Sequence, residues 1–170
     1  MAALLKDIPD GVACFLDATI FYYHLVNTPP LSDDCSDLLE RVEARAIQGV
    51  TSTVALAEAT HKVMLAEIVR RHGVSPQGLL SRIKKHPELL DYLSEHKQVA
   101  ALAETLQLTV EPLTLDFLKE GADLLPQQRL LTNDALLLAV MEKLGLSYLA
   151  TNDDDFDSIP GLTVCKPTRT

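Results

Sequence analysis

The chain has 170 residues, 47% of them apolar and 23% charged, with a formal net charge of −9. This length suits a single domain over residues 1–170, and the composition is that of a packed globule rather than a disordered tract. The negative charge argues against indiscriminate electrostatic capture of nucleic acid, while leaving room for a local basic groove.

Cys14, Cys35 and Cys165 are odd in number and lack CxxC spacing. They support neither a disulfide framework nor a zinc knuckle, and fit a reducing, cytoplasmic setting. The most apolar early stretch, residues 11–26, is interrupted by Asp17 and His24 and is shorter than the ~20 residues a bilayer crossing needs, so no membrane association is expected. The first ten residues hold Lys6, Asp7, Pro9 and Asp10 without a small-residue cleavage pattern, so no secretory signal is expected either.

In chain order, VACFL (12–16) is a continuous apolar run that predicts a strand buried on both faces, with Asp17 at its end. ATIFYYHLV follows and is closed by Pro29-Pro30. A helix is predicted over 32–47, with capping and first-turn acids from Ser32 to Asp34 and Gly49 as its stop. VTSTV (50–54) suits a second strand, and a helix runs from Ala55 to Gly73. Residues 75–107 read as further helices, broken near His86-Pro87. LTVEPLT (108–114) resembles a third strand. LDFLKEGADLL predicts a helix ending before Pro126, and TNDALLLAVMEKLG one capped by Thr132 or Asn133 and stopped by Gly145. SYLA (147–150) and LTVCK (162–166) supply a fourth and a fifth strand. The alternation predicts an α/β fold: a mainly parallel sheet of four to five strands between helical layers, with a helical insertion around residues 70–107.

In such a sheet, ligands gather beyond the carboxyl ends of the strands, and four acids fall there. Asp17 ends the first strand, Glu58 lies in the first turns after the second, Asp134 opens a helix, and Asp153 follows the fourth strand with Asp154 and Asp155 behind it. Taken singly, Glu58 and Asp134 also suit helix first turns on dipole grounds, and Asp154 and Asp157 suit a solvated loop or capping positions. Asp17 is harder to explain so, because a carboxylate at the end of a buried strand is costly to desolvate. Clustered carboxylates repel one another unless a cation is shared. Oxygen ligands select Mg²⁺ or Mn²⁺, which suits phosphoryl chemistry.

LDATIFYYHL (16–25), TSTVALAE (51–58), LTNDALLLAVMEKLG (131–145) and SYLATNDDDF (147–156) together resemble the four acidic motifs of PIN-domain nucleases, a family that includes VapC-type toxins. The resemblance implies a three-layer α/β/α sandwich and Mg²⁺- or Mn²⁺-dependent endoribonuclease activity, in which a metal-activated water hydrolyses an RNA phosphodiester. It assigns catalysis to Asp17, Glu58, Asp134 and Asp153, and metal binding to Asp17, Asp134, Asp153 and Asp155, with Asp155 as alternate or supporting fourth acid. Thr151 becomes a hydroxyl partner orienting the loop, although a strand-ending threonine is the plain reading. It further implies an antitoxin partner and a homodimer. An RNA-processing nuclease that is not a toxin, and a catalytically silent PIN-like interaction module, remain as alternatives.

Residues 70–86 hold Arg70, Arg71, Arg82, Lys84 and Lys85 and no acid. They either grip the RNA backbone or complement helix C-termini. Glu58 and His61 have the Glu-x-x-His spacing of di-iron bundles, but no second copy exists. A phosphotransfer domain would need an activating lysine, for which Lys166 is the one suitably placed. Finally, FYYHLV and residues 37–47 offer apolar surface to an amphipathic partner, and adjacent Tyr22 and Tyr23 cannot both face one core.

Overall fold

The apolar runs become strands, and the strands become one sheet. In the computed structural model, which describes residues 3–168, β1 (Ala3–Leu4), β2 (Ala13–Leu16), β3 (Gln48–Ser52), β4 (Thr109–Glu111), β5 (Tyr148–Ala150) and β6 (Thr163–Lys166) lie in the order β1-β6-β5-β2-β3-β4. Every neighbouring pair is parallel. The sheet has six strands rather than four to five because a short edge strand, β1, joins the expected set. Two residues are too few to leave a periodic signal.

The helices are α1 (Ala18–Val26), α2 (Leu31–Glu43), α3 (Thr53–His72), α4 (Leu79–Lys85), α5 (Gln98–Thr105), α6 (Leu115–Gln128) and α7 (Thr132–Leu144). Strand alternation sorts them into two layers. Cys14 and Leu16 enter a core with Phe21 of α1, Leu38 of α2 and Val63 of α3. Phe15, between them, enters the opposite core with Leu149, Phe117 of α6 and Leu137 of α7. Ala135 to Met141 of α7 are all buried, which explains why DALLLAVM shows no clean amphipathic stripe.

Several local expectations change. Gly49 is not a helix stop: α2 ends at Glu43, Arg45 takes the left-handed conformation (φ 62°), and Gly49 lies inside β3. A Cβ there would stand 2.6 Å from Leu108 Cδ2 and 2.8 Å from Val42 Cγ1, so close packing explains the glycine. Val54 belongs to α3 rather than to the second strand, because Ser52 caps that helix by accepting from the Ala55 amide at 3.2 Å. α6 runs through Pro126 to Gln128. Ala122 and Pro126 are both exposed, so water can satisfy the carbonyl that proline leaves without a donor. The N-caps of α2 and α7 are Pro30 and Leu131, neither with a side-chain capping bond.

The insertion breaks at His86-Pro87 as expected, with 3₁₀ turns at Pro87–Leu90 and Glu95–Lys97. It has a small core of its own around Ile68, Leu79 and Leu93. Glu67, buried within α3, accepts from the amides of Ser94 (3.1 Å) and Glu95 (2.9 Å), tying the returning chain to that helix.

The segment linking β5 to β6 is pinned from beneath. Lys166 is buried, and its Nζ meets Asp154 Oδ1 at 2.6 Å and Asp157 Oδ1 at 2.5 Å. These two acids therefore anchor the loop, which the solvated-loop reading did not anticipate. Replacing both Asp154 and Asp157 with Ala strands a buried ammonium and is expected to cost about 3–5 kcal/mol. Lys166→Met removes the buried charge itself and should cost less than half of that in urea denaturation. A larger cost for Lys166→Met would contradict the pinning role.

Candidate active site

The site forms where three neighbouring strands end together. Leu16 pairs with Ala150, and Phe15 with both Val50 and Leu149, so the residues after β2, β3 and β5 emerge side by side. The chain leaves β2 toward β3 and β4 and later returns to β5 on its other side. This makes the β2/β5 boundary the topological switch point, where ligands bind in open α/β sheets.

Asp17 caps α1, accepting from the Thr19 amide at 3.4 Å. Its Oδ2 also accepts from the hydroxyls of Thr19 and Thr151, each at 2.8 Å. The same two hydroxyls work outward as acceptors. Thr151 Oγ1 takes the Asp153 amide at 3.0 Å, and Thr19 Oγ1 the Asn152 amide at 3.1 Å. Two threonines thus lock Asp17 to the loop that carries Asp153, and Asp153 Oδ1 in turn accepts the Asp155 amide at 2.9 Å.

Glu58 projects from α3, with one oxygen paired to Lys62 Nζ at 2.8 Å and the other accepting from Asn133 Nδ2 at 3.0 Å. Burial alone would raise its pKa, but the bonds from Lys62 and Asn133 lower it overall. Lys62 is the mirror case: burial disfavours its charge, yet pairing with Glu58 and the charges of Asp17 and Asp153 raise its pKa.

Asp17, Glu58 and Asp134 line one small cavity together with Ser52 and Asn133. Its volume is about 10 Å³, room for one water or a small ion. Asp134 bears the electrostatic consequence. Burial first, then the charges of Asp153, Asp17, Glu58 and Asp155, push its pKa up to about 6. All five acids singled out in the sequence therefore act on one locus. Among the described residues, no three His, Cys, Asp or Glu side chains are set to grip a single ion. The all-oxygen donors and the cavity size still fit a hard divalent ion, because Mg²⁺ takes one or two carboxylates directly and keeps several waters.

The basic residues divide. Arg70 pairs with Glu95, and Arg71 with Glu67 and the Tyr92 carbonyl, so both tie the insertion to α3. Arg82, Lys84 and Lys85 are exposed in the last turn of α4. His61 is exposed, and Lys166 is committed to Asp154 and Asp157, which removes the activating lysine of the phosphotransfer reading. Tyr22 and Tyr23 are both half-buried in an edge-to-face pair, their centroids 5.3 Å apart. Sequence does not mark Thr19, Lys62 or Asn152 as site residues, and marks Asn133 only as a helix cap. Lys62 lies four residues after Glu58 on a helix, a spacing that places the two side by side.

A parallel α/β sheet with acids converging at its switch point defines a class of ligand-binding α/β domain. Within it the chain belongs to the PIN domain family, whose model matches residues 14–162. No curated protein matches it closely enough to count as a relative. Among solved structures, a chain of a toxin–antitoxin complex from Klebsiella pneumoniae is 18% identical with a TM-score of 0.55, covering 92% of this chain and 99% of its own. Mycobacterium tuberculosis VapC20, a sarcin–ricin-loop-cleaving toxin, is 19% identical with a TM-score of 0.58, covering 88% and 95%. A chain of VapBC2 from Rickettsia felis, bound to a promoter DNA fragment, is 17% identical with a TM-score of 0.53, covering 92% and 99%. At these identities the likeness is one of fold.

The raised pKa of Asp134 carries a stability prediction. Because its folded pKa lies above the ordinary aspartate value of 3.8, its contribution favours the fold below pH ~4 and is lost as pH rises through about 6. In EDTA, Asp134→Asn should therefore raise Tm at pH 8 by about 2–4 °C, the shift that ~1 kcal/mol produces in a chain of this size, once the water-screened part of the carboxyl is discounted. The gain should vanish at pH 4. A gain of equal size at both pH values would contradict charge crowding.

Proposed function

We propose that the chain is a divalent-metal-dependent endoribonuclease and the toxin half of a toxin–antitoxin pair. The observation that carries this reading is the crowding of Asp17, Glu58, Asp134, Asp153 and Asp155 around one locus, strong enough to lift Asp134 to about 6. So many charges at the mouth of a sheet are tolerable when a cation is shared.

In this reading Mg²⁺ or Mn²⁺ would sit among Asp17, Asp134 and Asp153, one or two of them binding it directly and the rest orienting its waters, with Asp155 in support and Glu58 beside them. When bound, the ion supplies Lewis-acid polarisation of a phosphate and a lowered pKa for an attacking water. The chain's own residues supply placement. The bonds that Asp17 accepts from Thr19 and Thr151 all land on Oδ2, which fixes that side chain and leaves Oδ1 for a ligand. Thr151 transmits the same constraint to Asp153. Lys62 and Asn133 hold Glu58 ionised and oriented. Asp134 must lose its proton to take part, so ion binding weakens as pH falls below about 6.

RNA is the substrate class that the family relationship favours, and the neighbouring VapC20 is itself a sarcin–ricin-loop-cleaving toxin. Arg82, Lys84 and Lys85, exposed on α4, are the cations free to meet its backbone, whereas Arg70 and Arg71 are committed within the fold. The toxin–antitoxin complex among the structural neighbours supports an antitoxin partner. Leu115, Leu118 and Leu125, exposed at helical spacing on α6, support a homodimer.

The test is cleavage of structured RNA in Mg²⁺ or Mn²⁺ by the native chain, Asp17→Asn and Asp134→Asn. Each substitution should cut kcat/KM at least ~100-fold, the scale of losing one directly acting group, and EDTA should abolish cleavage. Activity that persists in EDTA, or in both variants, would contradict the mechanism.

A further inference from the structure

Beside the acidic cavity lies a larger concavity that the catalytic reading leaves unused. A groove of about 860 Å³ runs between α1, α3 and residues 76–81, within the ~300–1,000 Å³ range of small-ligand pockets. Its walls are mainly apolar and aromatic, from Tyr22, Tyr23, Leu65, Val69, Leu79 and Leu80. Lys62 and Arg70 are its cations, set in a chain of net charge −9.

Three bonds join this groove to the acids. Thr19 lines it and donates its hydroxyl to Asp17 at 2.8 Å. Lys62 lines it and pairs with Glu58 at 2.8 Å. Tyr23 lines it, and its hydroxyl accepts Nδ2 of Asn152, next to Asp153, at 2.9 Å. Hydrogen bonds thus link the two sites, and a cation, Lys62, makes one of the links.

A phosphodiester lying at the carboxylates must send its flanking nucleosides somewhere. A base has apolar faces that stack on aromatic and aliphatic side chains, and unpaired nucleotides are the form of RNA whose bases can be splayed out in this way. The linking phosphate needs a positive charge between base and acids, which is where Lys62 stands. Its ammonium has three N–H donors, so it can meet that phosphate while it stays paired with Glu58.

We propose that the groove between α1, α3 and α4 is a subsite for an unpaired nucleoside flanking the scissile phosphate, with Lys62 holding the phosphate that links the two. This rests on the nuclease reading for its position but makes a separate claim. The substrate region next to the cut is single-stranded, and base preference is set in the groove rather than at the acids.

The experiment titrates the ¹⁵N-labelled full chain, in EDTA, with AMP, CMP, GMP and UMP in turn, and measures KM for RNA cleavage by the native chain, Ala66→Leu and Leu80→Glu. Ala66 lines the groove, so leucine fills it. Leu80 is 54% exposed, so glutamate there places a repelling charge without disturbing the core. Amide shifts should concentrate at residues 65, 66, 69 and 79–81, differ between bases and disappear in both variants, and both variants should raise KM at least tenfold. If RNA is cleaved with unchanged KM by both variants and the groove amides ignore all four nucleotides, the subsite is wrong and the nuclease reading stands. If nucleotides shift the groove amides but no RNA is cleaved with Mg²⁺ or Mn²⁺, the nucleoside site stands and the nuclease reading falls. Shifts produced by an amphipathic helical peptide and by none of the nucleotides would overturn the proposal in favour of protein docking.

Discussion

Carboxylates brought together at the mouth of a parallel sheet raise one another's proton affinity, and most of what surrounds this site is a response to that repulsion. Asp17 and Asp134 share a cavity with Glu58, and the charges of Asp153 and Asp155 reach Asp134 as well. Four kinds of group oppose the repulsion: hydroxyl, ammonium, side-chain amide and backbone amide. The threonine hydroxyls stabilise Asp17. Lys62 and Asn133 stabilise Glu58. The Asp155 amide stabilises Asp153. Among the described residues no hydrogen-bond donor meets the Asp134 carboxyl, and its pKa rises to about 6. A shared cation would complete the set, since oxygen-rich, negatively charged pockets favour hard divalent ions.

The rest of the fold holds these groups to their places. Parallel pairing of β2 with both β3 and β5 sets the three carboxyl ends side by side, and alternation along β2 fixes a helical layer on each face. Lys166 anchors the acidic loop from below through Asp154 and Asp157. Glu67 draws the insertion onto α3, which builds the far wall of the groove beside the acids. Rigid elements carry the site, as a pocket of like charges requires if its members are not to swing apart.

Much of this was legible in the chain. Asp17 stands out because VACFL is a buried strand and a carboxylate at its end is costly. The motifs around Glu58, Asp134 and Asp153 follow elements whose periodicity is plain. The remainder depends on contacts that one-dimensional patterns carry poorly. β1 is too short for periodicity to register. Gly49 reads as a helix stop, since sequence gives no sign of α2 and Leu108 pressing on β3. Lys62 was visible only by asking what lies one helical turn beyond Glu58. The tie between Asp154, Asp157 and Lys166 links a loop to the following strand across a turn, and nothing in spacing distinguishes it from a solvated acidic tract.

The central claim is that the acidic locus is relieved by one shared divalent ion, and Mn²⁺ binding followed by electron paramagnetic resonance tests it without reference to any substrate. The account predicts saturable loss of the free-ion signal with the native chain at pH 8, weaker binding at pH 5, and weakening of at least about tenfold in Asp17→Asn and in Asp134→Asn, as expected when a ligand or its orienting partner is removed. A native chain that leaves the free-ion signal unchanged, or variants that bind Mn²⁺ as well as the native chain does, would contradict it.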